Sequence, residues 1–303
     1  MVKNTNLHKA KNAKNDEFYT QLTDVAKELM HYKKHFKDKI VFCNCDDPTW
    51  SAFWKYFHLN FAELGLKKLI STHYDREEAT YKMEYTGGDD NDIDVGVKTP
   101  LEGNGDFRSQ ECLDLLDECD IVVTNPPFSL FREYVAVLME HEKKFLIIGN
   151  KNAITYKEFF PLLKDDEVWI GCTNVKEFLQ PDGSIKKFGN IGWFTNLDVA
   201  KRHEKLILWK KYTPEEYPTY DNYDAINVDK VSEIPCDYDG VMGVPITFMD
   251  KYNPIDFEII GADEAEGTGF SNGLYIQGSR YKQCYANGKR IYKRIFIRRK
   301  VGA

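Results

Sequence analysis

The sequence predicts an α/β protein: a doubly wound, Rossmann-like, mostly parallel sheet followed by a C-terminal extension. Three observations carry that expectation. Short apolar runs of strand character alternate with amphipathic helical segments along the first half of the chain. Those runs are continuously apolar, as suits strands covered on both faces. Beyond Asn196 the alternation stops, and Tyr, Pro, Asp and Gly dominate 212–239.

Taken in order, Leu22, Val25, Leu29 and Phe36 lie near one face of a helix over 22–36, which feeds the apolar run KIVFC (39–43). Phe53, Phe57, Phe61 and Leu64 repeat at helical spacing in 50–64, and their simplest role is core packing. LKKLIST (66–72) supplies a second strand. After the polar, glycine-bearing stretch 86–105, Ser109 is placed to cap a helix running to Glu118. The strand IVVT (121–124), a helix over 129–141, the strand FLIIG (145–149), a helix near 155–164 and the strand VWIGC (168–172) complete the pattern. The expected domains are therefore 1–200 and 201–303.

Composition narrows the functional classes. The 303 residues carry 41 Lys+Arg against 48 Asp+Glu, a net charge of −7 that at face value argues against a nucleic-acid partner. The distribution tells a different story. Ser271 to Ala303 holds nine basic residues and no acidic one, and Lys3, Lys9, Lys11 and Lys14 mark the other end. At 42 % hydrophobic residues, disordered and collagen-like classes are excluded. No signal-peptide or membrane-spanning run is present, so a cytoplasmic protein without membrane attachment is expected. Seven cysteines without Cys-x-x-Cys spacing read as reduced, mostly buried thiols. His31 and His35 read as a solvated helix face, and Asp89-Asp90-Asn91-Asp92 lacks the glycine and terminal glutamate of a calcium loop, so no metal site is expected.

The chemistry concentrates where IVVT runs into Asn125-Pro126-Pro127-Phe128. In an open α/β sheet, ligands sit at the carboxyl ends of strands, which is where this tetrapeptide falls. Two prolines fix φ and keep the preceding residue out of the helical region, so the carbonyls of Asn125 and Pro126 can face a cleft. The Asn125 side chain adds an acceptor, and Phe128 adds a ring for stacking. Acceptors converging beside an aromatic face suit an amino group on a heteroaromatic ring. In Asp75, at the end of the second strand, the analogy with dinucleotide folds offers an acid for ribose hydroxyls; the alternative is a solvated loop aspartate.

Around these residues the chain resembles the EcoRI-type family of adenine-specific DNA methyltransferases. The resemblance runs through LHKAKNAKNDEFYTQ, FCNCDDPTWSAFWKYF, GDFRS, DIVVTNPPFSLFREY and KKFLIIGNKNAITYKE, and returns in WFTNLDV, YDNYDAINVDK and DYDGVMGVPITF. It implies an S-adenosylmethionine-dependent enzyme that methylates the N6 amine of an adenine flipped out of duplex DNA, either beside a restriction endonuclease sharing its site without binding it, or as an orphan. A monomer is expected. Under this resemblance Asn125, Pro126, Pro127 and Phe128 form the catalytic motif. Phe18, Tyr19 and Thr20 match a cofactor-side motif, and Cys43, Asn44, Cys45 and Asp46 fall in the loop that holds the cofactor's methionine end. Asp106 and Phe107 match the acid and the aromatic that meet its adenine. Trp193 or Phe194 is expected near the pocket rim.

The resemblance has its own departures. The loop CNCDDP has no glycine, unlike the Gly-x-Gly loop of most methyltransferases. Between Gly171 and Trp193 the chain is shorter than the family's namesake, so the target sequence does not carry over. The basic ends are expected to contact phosphates; the other reading of the C-terminal one is a tail that balances the acidic body. A methyltransferase of another amine, in RNA or a protein glutamine, and a catalytically idle DNA-binding relative remain as alternatives.

Overall fold

The computed structural model describes residues 19–75, 79–180, 183–263 and 270–300. It divides into two compact units, Met1–Asn152 with Ile170–Asp198, and Ala153–Trp169 with Val199–Ala303. Phe18 and the four N-terminal lysines lie outside the described residues.

A nine-stranded sheet forms the first unit, a mixed α/β arrangement. Its strands are β1 (Tyr19–Thr20), β2 (Ile40–Cys43), β3 (Lys68–His73), β4 (Tyr81–Tyr85), β5 (Val97–Pro100), β6 (Ile121–Thr124), β7 (Lys144–Asn150), β8 (Trp169–Leu179) and β9 (Ile185–Thr195), in the order β1-β8-β9-β7-β6-β2-β3-β4-β5. Strands β7, β6, β2 and β3 run parallel at the centre. There the continuous apolar runs go where they were expected to: β2 and β6 are buried at every residue. The flanks are antiparallel, with β4 on β3, β5 on β4, β9 on β7 and β1 on β8. Strand β3 lies to one side of β2 and β6 to the other, so the order reverses between β2 and β6. The crevice outside the carboxyl ends of those two strands is the place where such sheets receive ligands.

The helices are shorter than their sequence patterns. Helix α1 (Leu22–Leu29) stops well before Phe36, leaving His31 and His35 outside one regular helix; the His35 ring meets the Asp198 carbonyl at 2.7 Å. The 50–64 segment splits at Asn60 into α2 (Ala52–Leu59), capped by the Ser51 hydroxyl, and α3 (Phe61–Leu64), which ends on Gly65 at φ 64°. Helices α4 (Gln110–Glu118) and α5 (Phe131–Glu140) fall close to their expected positions. The expected strand at 168–172 is the first part of an eleven-residue β8, joined to a β9 of equal length. The edge strand β5 and the first half of β9 are largely exposed, so no apolar alternation announced them.

Glu28 anchors α1 to β8. It is fully buried, yet its carboxylate accepts from the Tyr32 hydroxyl at 3.0 Å and from the Cys172 amide, the Thr173 amide and the Thr173 hydroxyl at 2.7 Å each. Gly171 makes room for it, since a Cβ there would lie 2.3 Å from Glu28 Oε1.

The second unit contains helix α6 (Phe160–Lys164) and a four-stranded sheet. The sheet's order is β10 (Ile226–Asn227), β11 (Met242–Pro245), β15 (Arg294–Arg299), β12 (Phe257–Ala262), and a separate ribbon pairs β13 (Tyr285–Ala286) with β14 (Lys289–Arg290). Strand β15 lies between β11 and β12, antiparallel to both, and Ile295, Phe296 and Ile297 are fully buried. The basic C-terminal segment is therefore no tail. Arg294 is buried against Asn227, Asp229 and the Tyr292 carbonyl. Arg298 pairs with Glu258, Arg299 donates to the Cys236 carbonyl, and Lys300 donates to the Pro254 carbonyl at 2.7 Å. All four of these side chains thus have partners within the second unit.

Removing the Glu28 carboxylate would leave buried donors unpaired, at about 1–3 kcal/mol for each. Glu28→Ala is expected to lower the urea midpoint of the first unit clearly more than Glu142→Ala at an exposed position. Equal midpoints would show that the buried carboxylate does not anchor α1.

Candidate functional site

The loop after β2 turns without glycine by placing Cys45 in the left-handed region at φ 73°. Burial pushes the Cys45 thiol well above its ordinary range, so it sits there as a small neutral group. On either side, Asn44 and Asp46 are buried; Asn44 is engaged with β6 and α5, and Asp46 with the end of β6. The Asn44 side-chain oxygen accepts from the Tyr134 hydroxyl, and its backbone carbonyl lies beside the Thr124 hydroxyl.

Asp46 joins the two strand ends. Its carboxylate accepts from the Thr124 hydroxyl, from the Asn125 amide at 3.2 Å and from the Ser51 hydroxyl at 3.2 Å, while its carbonyl accepts from the Ser71 hydroxyl. The loop after β2 is thereby held to Asn125 at the strand-order reversal. Burial lifts the Asp46 carboxyl to about 7, although the Thr124, Asn125 and Ser51 donors pull it down.

Other expected residues gather at the same edge. Phe107 is buried, edge-on to the Tyr134 ring at 5.0 Å. Gly105 adopts φ 73°, and a Cβ on it would meet the His73 carbonyl at 2.4 Å, so the 104–107 loop closes directly on the end of β3. The Asp75 amide donates to the Asn104 carbonyl at 3.2 Å, which places Asp75 beside the same loop. Asp106 forms a fork with Arg108 through contacts of 2.7 and 2.9 Å, and Arg108 continues to Glu133 at 2.8 Å. Asp47 receives His73 at 2.7 Å and the Tyr81 hydroxyl at 2.9 Å.

The β8–β9 arm brings in the rest. Thr20 lies opposite Phe178 in the β1–β8 pair, and Tyr19 rests on Trp50 with ring centroids 4.0 Å apart. Phe178 in turn meets Phe128 at 6.1 Å, and Phe188 meets Phe128 at 6.2 Å. Phe128, half-buried, is braced by two rings from one hairpin.

Cys43 is a fully buried residue at the end of β2. Trp193 and Phe194 are fully buried too, with Trp193 edge-on to Phe53 and Phe194 packed on Phe131, so neither stands at a rim. The residues that local reading missed are Thr124, Ser51, Tyr134, Phe178 and Phe188. Only Thr124, adjoining the tetrapeptide, carried a local signal. Among the described residues no group of three or more His, Cys, Asp or Glu is arranged to hold a metal, and no helix is long and apolar enough to cross a membrane.

A carboxyl raised from 3.8 to about 7 binds its proton more tightly in the folded protein than in the unfolded chain. The stability contributed by Asp46 is therefore full below the unfolded value and is lost as the pH rises through about 7. Urea melts between pH 5 and 8 are expected to show this decline in the native protein and a flatter profile in Asp46→Asn; parallel profiles would contradict it.

Comparison with known proteins places this edge in context. The family model "Adenine-specific methyltransferase EcoRI" matches residues 6–300. The Type II methyltransferase M.EcoRI of Escherichia coli is 46 % identical over 97 % of this chain and 96 % of its own length. The Type II methyltransferase M.MpnI of Mycoplasma pneumoniae is 38 % identical over 97 % and 98 %, and the Type II methyltransferase M.MgeORF184P of Mycoplasma genitalium is 36 % identical over 96 % and 98 %. No solved structure matches the chain. With nearly the whole sequence matched, loops and sheet alike, this chain belongs to the EcoRI family of adenine-specific methyltransferases.

Proposed function

We propose that this enzyme, a site-specific DNA adenine methyltransferase, methylates the N6 amine of an adenine turned out of the duplex, with S-adenosylmethionine as donor, in a Rossmann-like methyltransferase domain. The second unit supplies target recognition. The observation that carries the reading is the Asp46 clamp, which holds Asn125 beside the loop after β2 at the strand-order reversal.

The residues at this edge fit the donor. Asp75 and Asp106 offer carboxylates for ribose hydroxyls and an adenine amine, and Phe107 offers a ring next to Asp106. The buried Thr20 hydroxyl, which has no partner among the described residues, is suited to a polar group of the methionine end. When bound, S-adenosylmethionine supplies an electrophilic sulfonium methyl.

The chain's own part is placement. The Asn125 side-chain oxygen and the Pro126 carbonyl accept the two N6 hydrogens, drawing the amine into line with the methyl. Hydrogen bonds to those acceptors strengthen as positive charge develops on N6, so they favour the transition state over the ground state. Phe128, braced by Phe178 and Phe188, stacks on the extruded base and offsets part of the few kcal/mol that extrusion costs. Asp46 acts one layer behind by gripping the Asn125 amide.

Transfer of a radiolabelled methyl group to duplex DNA, RNA and protein separates this reading from its alternatives, with label expected in DNA as N6-methyladenine. Asn125→Ala is expected to lower kcat by about 10²-fold or more while calorimetric S-adenosylmethionine affinity stays close to native. Asp106→Ala is expected to weaken that affinity. Native turnover in Asn125→Ala, or unchanged affinity in Asp106→Ala, would remove the corresponding role.

A further inference from the structure

The second unit holds a built element that the methyl-transfer site does not explain. Strands β13 and β14 form a two-stranded ribbon whose turn is Asn287-Gly288, at φ 52° and 69°. Two consecutive positive φ angles in a two-residue loop match the twist of the strands they join, and Asn-Gly adopts them at little cost.

The turn is further held from outside. The Asp221 carboxylate accepts from both turn amides, Asn287 at 3.1 Å and Gly288 at 2.8 Å, and the Asp221 amide donates to the Tyr285 carbonyl at 2.7 Å. Asn222 donates to the Tyr281 and Gln283 carbonyls at 3.2 and 2.8 Å and accepts from the Tyr285 amide at 3.1 Å. Tyr281 and Tyr285 stack with centroids 3.9 Å apart and planes 12° from parallel. Cys284 and Ala286 root the ribbon in the core cluster beneath it.

The tip carries the opposite character. Residues 287–290 are all exposed, and among the described residues the side chains of Lys289 and Arg290 make no hydrogen bond or ion pair. They contrast with Arg294, Arg298, Arg299 and Lys300, whose donors are used inside the unit. A connecting loop has no need of a carboxylate clamping both turn amides. A probe that must present two cations without losing conformational entropy on contact does.

We infer that the β13–β14 hairpin is a rigid DNA-contacting finger: Lys289 and Arg290 bind backbone phosphates of the duplex, and Asp221 and Asn222 are the positioning residues that hold the finger in shape. A two-stranded ribbon fits a DNA groove in size, and Arg and Lys are the phosphate-binding side chains. The inference rests on the reading of duplex DNA as substrate, and it assigns the phosphate-binding role to the hairpin rather than to the whole basic segment.

Binding of a fluorescent random-sequence duplex to the full-length protein, followed against salt, tests it. Lys289→Ala/Arg290→Ala is expected to reduce the slope of log K on log[salt] by about 1.8, at about 0.9 for each phosphate that the variant leaves unneutralised. Arg298→Ala/Lys300→Ala, which removes equal charge from the folded strand region, is expected to leave the slope near native. Asn222→Ala keeps every cation but loosens the finger, and is expected to weaken binding several-fold. A native slope in the Lys289/Arg290 variant, with its thermal melt unchanged, overturns the inference; equal reductions in both charge pairs also overturn it, since net charge alone would then set the slope. No salt-dependent binding by the native protein would instead overturn the DNA reading on which it rests.

Discussion

A buried carboxylate between two neighbouring strand ends organises this protein. Asp46 lies at the point where the parallel strands reverse their order, and it collects donors from Ser51, Thr124 and the Asn125 amide. An ionisable group without such donors would be costly in that position. Even with them, burial outweighs the hydrogen bonds, and the carboxyl is lifted to about 7. The consequence is positional: two loops from different parts of the chain are held at fixed register, and the proposed catalytic tetrapeptide takes its place from that register. The glycine-free loop after β2 depends on the same device, because Cys45 holds a left-handed turn that its hydrogen-bonded neighbours keep closed.

The aromatic side chains divide into two jobs. Phe53, Trp193, Phe131 and Phe194 pack the sheet against its helices, and their size makes that core dense. Phe128, Phe178 and Phe188 form a smaller cluster at the edge, where a ring from the tetrapeptide meets two from the β8–β9 hairpin. The first group is shielded from any base, and the second includes the ring proposed to stack on one. Helical spacing reveals the first job in Phe53, Phe57 and Phe61, while the second joins residues far apart in sequence.

Charge divides in a similar way. A net −7 and a basic C-terminal segment are contradictory for a DNA enzyme only as long as the segment is taken as one object. Its second half is the central strand of the second unit, with cations consumed by carbonyls and carboxylates. Its first half carries the exposed hairpin cations. Electrostatic footprint thus depends on which cations folding leaves unpaired, and composition cannot count those.

Local pattern determined a good deal on its own. The apolar runs at β2, β6 and β7 marked the parallel centre, since strands covered on both faces need no polar alternation. The long family strings identified the enzyme class, and the motif after β6 pointed to the strand's carboxyl end as the place of the proposed chemistry. Tertiary structure alone decided the rest. The exposed β5 and first half of β9, the break of the first helix at Leu29, the burial of Cys43 and Trp193, and the pairing of Asp46 with Thr124 and Asn125 all arise from contacts between distant segments. Periodicity records which face of an element is apolar; it holds no record of which other element will supply a buried carboxylate with its donors.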